Sequence, residues 1–469
     1  MTSQPNKTVL HDRPKDPRAV LTDLYWSGVK AVAPDAALRF ALDKLPALER
    51  GKRLWIIALG KAAAPMARAA ADVLHRWGRE PAGGIVVAPQ AAVAPHPSLE
   101  CVIGDHPLPG ANSFHAASQL GTVVGKVRGD DEVWVLLSGG ASSLVAAPDG
   151  AVHTDDLLEL YRLLLGAGID IVEMNTIRKR FTRWSGGRLA RALHPATVRQ
   201  FTVSDVIGDD LASIASGPCV PDPSTAAEVH QRLSELGLWE RLPTGLRHHL
   251  SRIEHEPELE TPKPGDAIFR HVEKKLIASN RLALEAIAAR AKELGYQAQI
   301  ITSTLSGEAS AAGRKIASTL VNYCGVGASA LTKRPGPTCL VWGGEATVTI
   351  PGRAASREQR AETAGGGGRC QELALAAAKE LVSTAGKSDI TLLAAGTDGR
   401  DGPTDAAGGI VDGQTWKSIV RAGRDPEHDL AEHNSNPSLR AAGALFITGH
   451  THTNVMDVMI GICTPVIAS

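Results

Sequence analysis

Four short apolar runs in this chain each end in a loop that carries chemistry. Arg53 to Leu59 ends at Gly60-Lys61, and Glu132 to Leu137 ends at Ser138-Gly139-Gly140-Ala141-Ser142-Ser143. Phe201 to Ser204 runs into Asp205-Val206-Ile207-Gly208-Asp209-Asp210, and Ile390 to Ala395 runs into Thr397-Asp398-Gly399-Arg400-Asp401-Gly402-Pro403-Thr404-Asp405. Unbroken apolar runs of this length, bounded by turn residues, predict strands buried on both faces. Helical spacing appears between them, as in the Ala-rich stretch after Lys61 and in Leu282 to Leu294. Strands alternating with helices predict parallel βαβ units and the α/β fold class.

The length of 469 residues suits two or three domains, and 43% hydrophobic content fills their cores. A His-, Glu- and Pro-rich stretch of weak periodicity from Leu238 to Gly265 predicts the boundary, after which strand and helix alternation restarts. Further strands are expected at Lys275 to Ala278, Thr338 to Trp342, Ala346 to Ile350, Ala444 to Thr448 and Val458 to Cys463.

Lys plus Arg and Asp plus Glu are each 50, so the net charge is zero, and aromatics are only 4%. That balance argues against nucleic acid as a partner. No apolar run reaches membrane-spanning length and the N-terminus has no apolar signal core, so a cytoplasmic protein without membrane attachment is expected. The six cysteines form no CxxC pair and read as buried or incidental thiols.

The loops define the candidate site. Lys61 at a helix start opposes the helix dipole, which favours a functional charge for phosphate or carboxylate. Ser138, Gly139, Gly140, Ser142 and Ser143 offer hydroxyl donors and close backbone approach to an anion. Gly367 and Gly368, in a four-glycine run before Arg369, suit a polyanion with a planar guanidinium beside it. Asp205 is a candidate base, and Asp210, Asp398 and Asp401 are candidate Mg²⁺ ligands, with roles exchangeable among the acids. His450 and His452 form an HxH pair that reads more readily as surface histidines than as metal ligands. Neither a Walker A loop nor a GxGxxG fingerprint occurs at the glycine loops.

Taken in order, these pieces resemble the glycerate 2-kinase family. The strongest are Gly60-Lys61-Ala62-Ala63-Ala64-Pro65-Met66, the Ser138 to Ser143 loop, and Ser204 to Asp210 with Ile214-Ala215-Ser216-Gly217-Pro218. Gly343-Gly344-Glu345-Ala346-Thr347-Val348 and the Thr397 to Asp405 loop complete the likeness, which runs from about Arg18 to Ile462. The resemblance implies a Rossmann-like N-terminal domain over residues 17–240 and a MOFRL-type α/β domain over 265–469, whose last strands could pack back on the first. Each domain is expected to be a mostly parallel sheet flanked by helices, with the active site in the cleft between them. It implies phosphoryl transfer from ATP, with Mg²⁺, to the 2-hydroxyl of glycerate, with Lys61 and Arg369 as key charged groups. A small hydroxy acid is the expected substrate, and a homodimer is compatible with this reading. The chain differs from the family pattern at Cys370, where asparagine is usual, and at His450-Thr451-His452, so a related 2-hydroxy acid is also a candidate acceptor. A hydroxypyruvate reductase, a non-catalytic sensor of acidic metabolites and a metal hydrolase built on His450 and His452 are the competing readings.

Overall fold

The computed structural model describes residues 16–46, 49, 51–169, 171–324, 336–349, 366–384 and 389–464. Twelve strands form two six-stranded sheets. The first contains β1 (Leu54–Leu59), β2 (Gly83–Ala88), β3 (Leu99–Ile103), β4 (Glu132–Leu137), β5 (Thr197–Val203) and β6 (Val272–Ala278). Its order is β3-β2-β1-β4-β5-β6 and every pair is parallel. β1, β2 and β4 are buried along their whole length, as their unbroken apolar runs require.

The second sheet contains β7 (Gln297–Leu305), β8 (Thr338–Gly344), β9 (Asp389–Gly396), β10 (Gly408–Asp412), β11 (Leu445–Phe446) and β12 (Asp457–Thr464). Its order is β11-β10-β9-β12-β8-β7. Here β7 and β8 are parallel and the remaining pairs are antiparallel. The α/β class therefore holds, but the mostly parallel arrangement expected of both sheets is found only in the first. The cause is β12. The last strand does not fold back onto the first sheet; it inserts between β8 and β9, running against both. Ile460 and Ile462 alternate with Met459 on opposite faces, so both faces of the sheet gain core from it.

The two sheets exchange elements across the chain. β6, expected in the second unit, pairs with β5 and completes the first sheet. The helix Pro17–Ala31, at the other end of the chain, packs Val20, Leu21, Leu24, Tyr25 and Val29 onto the second sheet beside the helix Asn280–Glu293. A third body of helices, with Tyr161, Met174, Val229 and Leu250 in its core, stands on the loops that leave β4 and β5.

Three expected details differ. Ala346 to Val348 forms an isolated bridge between Thr347 and Glu308 and not a strand, while Ile350 lies outside the described residues. β3 and β10 have no counterpart among the expected strands; each is short, and Gly408-Gly409 in β10 reads locally as a turn. The glycine-rich run is described only from Gly366 onward. Cys324 and Cys463, 139 residues apart, lie side by side with their Cα atoms 6.2 Å apart, a pairing the sequence did not suggest. Cys219, Cys339 and Cys370 are buried free thiols, as expected.

Candidate active site

In the first sheet the chain order reverses between β1 and β4, with β2 and β3 on one side and β5 and β6 on the other. Ligands of open parallel sheets bind in the crevice outside the carboxyl ends of the strands at such a switch point. Lys61 follows β1 and the Ser138 to Ser143 loop follows β4, so sequence position alone puts both at that crevice.

The local bonding explains the residue types. Gly60 has φ 122°, and a Cβ there would lie 2.3 Å from Ser138 Oγ. Only glycine allows this turn to lie against the next loop. Lys61 N then donates to Gly139 O at 2.9 Å, and Ala62 N donates to Ser138 Oγ at 2.9 Å. Lys61 itself is exposed at the start of the helix Ala63–Arg76. A Cβ on Gly140 would lie 3.5 Å from Lys61 Cε and 2.9 Å from His106 Cδ2, so lysine and histidine converge on that glycine. Burial, then the Lys61 charge, pushes the His106 imidazole down to about 4.

Asp205 joins the same place. A Cβ on Gly139 would come 1.9 Å from Asp205 Oδ2, so the bare glycine backbone is what admits the carboxylate. Ser142 Oγ meets Ser216 Oγ at 2.9 Å, and Ser143 Oγ donates to Pro107 O at 2.6 Å. Lys61, Ser138, Gly139, Gly140, Ser142, Ser143 and Asp205 are thus one neighbourhood.

From the second sheet, the loop after β9 reaches it. The Asp398 carboxyl is held above the ordinary carboxylate range by burial; the Asp457 charge adds to this, while the Arg400 N–H, Arg369 and Lys61 act against it. The Lys61 charge therefore reaches Asp398, although the two residues follow strands of different sheets. Thr451 and Thr453 lock this corner, donating to Thr397 O at 2.5 Å and to Val32 O at 2.9 Å.

Arg369 opens the helix Arg369–Leu381. Its Nε and Nη2 donate to the two oxygens of Asp457 at 2.5 and 2.8 Å, and Nη1 lies 2.9 Å from Glu345 Oε1. Asp457 is fully buried at the start of β12. These two acids were missing from the candidate residues. Glu345 lay in a quoted motif without a role, and Asp457 has no local signal, because its meaning comes from the arginine it meets 88 residues away.

Four of the expected site residues have partners of their own in this structure. Asp401 is engaged at a helix start: Oδ1 accepts from Cys370 N at 3.0 Å, and Oδ2 accepts from Gln371 N at 2.8 Å and Gln371 Nε2 at 3.0 Å. It caps the helix that Arg369 begins, supplying negative charge at the positive end of the dipole. Burial pushes its carboxyl up to about 6. Asp210 is exposed and spends its oxygens on its own turn, accepting from Ala212 N at 3.1 Å and Ser213 Oγ at 2.7 Å. Gly367 and Gly368 are bare for packing, since a Cβ on each would lie 2.2 Å from Ser435 Oγ and 2.3 Å from Asp401 Cγ. His450 and His452 are exposed, and among the described residues no group of three or more His, Cys, Asp or Glu is placed to hold a metal. Mg²⁺ is commonly held by one or two carboxylates together with substrate phosphates. Asp398, which gives Oδ1 to the Arg400 N–H at 3.0 Å, suits that limited form.

Lysine, hydroxyls and carboxylates gathered at a switch point, with a loop of the second sheet in electrostatic reach, suit a small anionic ligand. The family comparisons carry this further. Residues 20–251 match a domain of unknown function, DUF4147, and residues 338–457 match the MOFRL family. The glycerate 2-kinase of Pyrococcus horikoshii is 37% identical over 96% of this chain and 98% of its own. A putative hydroxypyruvate reductase of Agrobacterium vitis is 36% identical over 94% of this chain and 93% of its own. The crystal structure of glycerate kinase from Thermotoga maritima superposes with a TM-score of 0.83 at 36% identity, covering 96% of this chain and all of that one. This chain belongs to the glycerate 2-kinase family.

Among the described residues no helix is long and apolar enough to cross a membrane.

Proposed function

We propose that this chain transfers the γ-phosphoryl group of ATP to the 2-hydroxyl of glycerate or a closely related 2-hydroxy acid. The observation that carries the reading is the convergence of Lys61, the Ser138 to Ser143 loop and Asp205 at the switch-point crevice, within electrostatic reach of Asp398. Phosphoryl transfer needs mainly positioning and charge stabilisation. Lys61 supplies a mobile positive charge to the transferring phosphoryl group. The loop supplies backbone N–H groups and the hydroxyls of Ser138, Ser142 and Ser143. Asp205, beside Gly139, orients the acceptor hydroxyl and takes its proton. Arg369 offsets the charge of Asp457 and Glu345 and fixes the wall of the cleft. Mg²⁺ would be held by Asp398 with the nucleotide phosphates and would neutralise charge there. We place the enzyme in the cytoplasm and leave room for a homodimer.

The first sheet has the strand order of dinucleotide-binding folds, which keeps the reductase reading worth testing. The β1 turn, however, reads Gly60-Lys61-Ala62-Ala63-Ala64-Pro65, so Ala62 and Pro65 stand where that fold needs its second and third glycines. An ADP-release assay over a panel of 2-hydroxy acids, with an NADH-oxidation control on hydroxypyruvate, separates the two. ADP release with one acid and no NADH oxidation is expected; the opposite pattern would replace the kinase with a reductase.

A further inference from the structure

The basic segment from Arg178 to Arg191 buries several cations at once. Arg178 is 7% exposed, Lys179 5%, Arg180 0% and Arg188 7%. A buried cation needs a counter-charge, because losing its water costs several kcal/mol even after relaxation. Arg180 lies 3.0 Å from Asp222 and also pairs with Glu260. Arg188 is 3.2 Å from Asp149, and Lys179 is 3.8 Å from Asp222.

Arg178 meets no carboxylate among the described residues. Its Nε is buried without a hydrogen-bond partner. Its guanidinium lies over the ring of buried Tyr161, 4.0 Å from the centroid. Such stacking returns less than the desolvation it accompanies costs. Burial accordingly pulls the pKa of Arg178 below its ordinary value. A planar guanidinium held flat on an aromatic ring, with no internal acid, is prepared for a carboxylate or phosphate from outside.

Hydrogen bonds from its helix and the segment after it lead to the candidate site. One turn earlier on the same helix, Ile171–Arg178, Asn175 Nδ2 donates to Ser213 O at 3.3 Å. Gly186 N, beyond Arg178, donates to Ser216 O at 2.8 Å. Ser216 is the residue whose hydroxyl meets Ser142 of the anion loop. The Ser213 to Gly217 turn is therefore a shared brace between the Arg178 segment and the candidate site.

We propose that Arg178, seated on Tyr161, is an oxyanion-binding residue of this cleft that takes the carboxylate of the acid acceptor. The choice of that carboxylate rests on the kinase reading; the oxyanion role does not.

The test measures KM for glycerate and for ATP in the wild type, Arg178→Gln and Arg178→Lys. Calorimetric titrations of glycerate and of inorganic phosphate are run in parallel without nucleotide. Arg178→Gln is expected to weaken glycerate about 10- to 100-fold, the scale of a hydrogen-bonded charge. ATP KM should stay within about twofold and the thermal midpoint should not fall, since an uncompensated buried charge is removed. Arg178→Lys should recover part of the loss, and it carries the same readouts should the glutamine variant not fold. A rise in ATP KM and weaker phosphate binding, with glycerate unaffected, keeps the oxyanion role but moves it to a nucleotide phosphate. Unchanged affinity for every anion, or a falling thermal midpoint with all constants moving together, overturns the proposal. If the wild type turns over no acid, the titrations still read Arg178 directly, so the two failures are distinguishable.

Discussion

Arg369 grips Asp457 with two nitrogens, at 2.5 and 2.8 Å, while the carboxylate is wholly buried at the start of β12. The pair joins the head of one helix to the central strand of the second sheet, and Asn280 Nδ2 fixes the same strand start by donating to Asp457 O at 2.9 Å. The Asp457 carboxylate holds the Arg369 guanidinium above its ordinary pKa against the opposing effect of burial.

Removing Asp457 breaks both charged hydrogen bonds and leaves Arg369 with Glu345. Asp457→Ala should therefore destabilise the protein by about 1.5–3 kcal/mol. Urea unfolding checks this; a loss below about 1 kcal/mol would mean that the pair is not holding the two elements together.

Gly139→Ala tests how the first-sheet loops meet. The added Cβ would sit 1.9 Å from Asp205 Oδ2, with Gly139 at the loop's centre. Asp205 must move, and turnover should fall by on the order of 10²-fold, as expected when a reacting group is misplaced by about 1 Å. Because an Asp205→Ala background has already lost the group that is displaced, the glycine substitution should add little there. A full further loss in the double variant would contradict the coupling.

The proximity of Lys61 and His106 can be read by NMR. His106 should titrate near pH 4 and stay neutral through physiological pH. Lys61→Met removes one of the two causes of that depression, so the midpoint should move upward towards 6.5. Lys61 is exposed, so the substitution should change stability by no more than about 0.5 kcal/mol. A midpoint indifferent to Lys61 would place the two side chains apart.

Asp401 predicts a pH dependence of stability. Its native pKa, about 6, lies above the ordinary 3.8. Between those values the native state holds a proton that the unfolded chain has lost, so this contribution is present below about pH 4 and disappears as pH rises through about 6. The shift corresponds to about 3 kcal/mol. His106 acts with the opposite sign over a similar range, because its native pKa is depressed and its contribution grows with pH. The measurement is therefore the difference in unfolding free energy between wild type and Asp401→Asn, which should become less favourable to the wild type from pH 4 to 6. A flat difference would show that Asp401 titrates normally.

Much of the site was legible because strand and loop chemistry are local. An apolar run of six residues followed by Gly60-Lys61, or by Ser138-Gly139-Gly140, announces a buried strand and an anion-friendly turn without reference to the rest of the chain. The same locality leaves the partner of Asp401 open. An Asp-rich, glycine-rich loop looks alike whether its carboxylate faces a cation or the N–H groups of Cys370 and Gln371.

By itself, then, the sequence determined the period of each element, the strands with two buried faces and the residue types at their ends, since these depend on neighbours a few positions away. Tertiary structure decided which strand lies beside which. It drew β6 into the first sheet, set β12 antiparallel between β8 and β9, and brought Asp457 to Arg369 and Asp398 within reach of Lys61. Those choices follow from burying apolar faces against partners tens to hundreds of residues away, and the charge a buried acid meets is set only when that packing is complete.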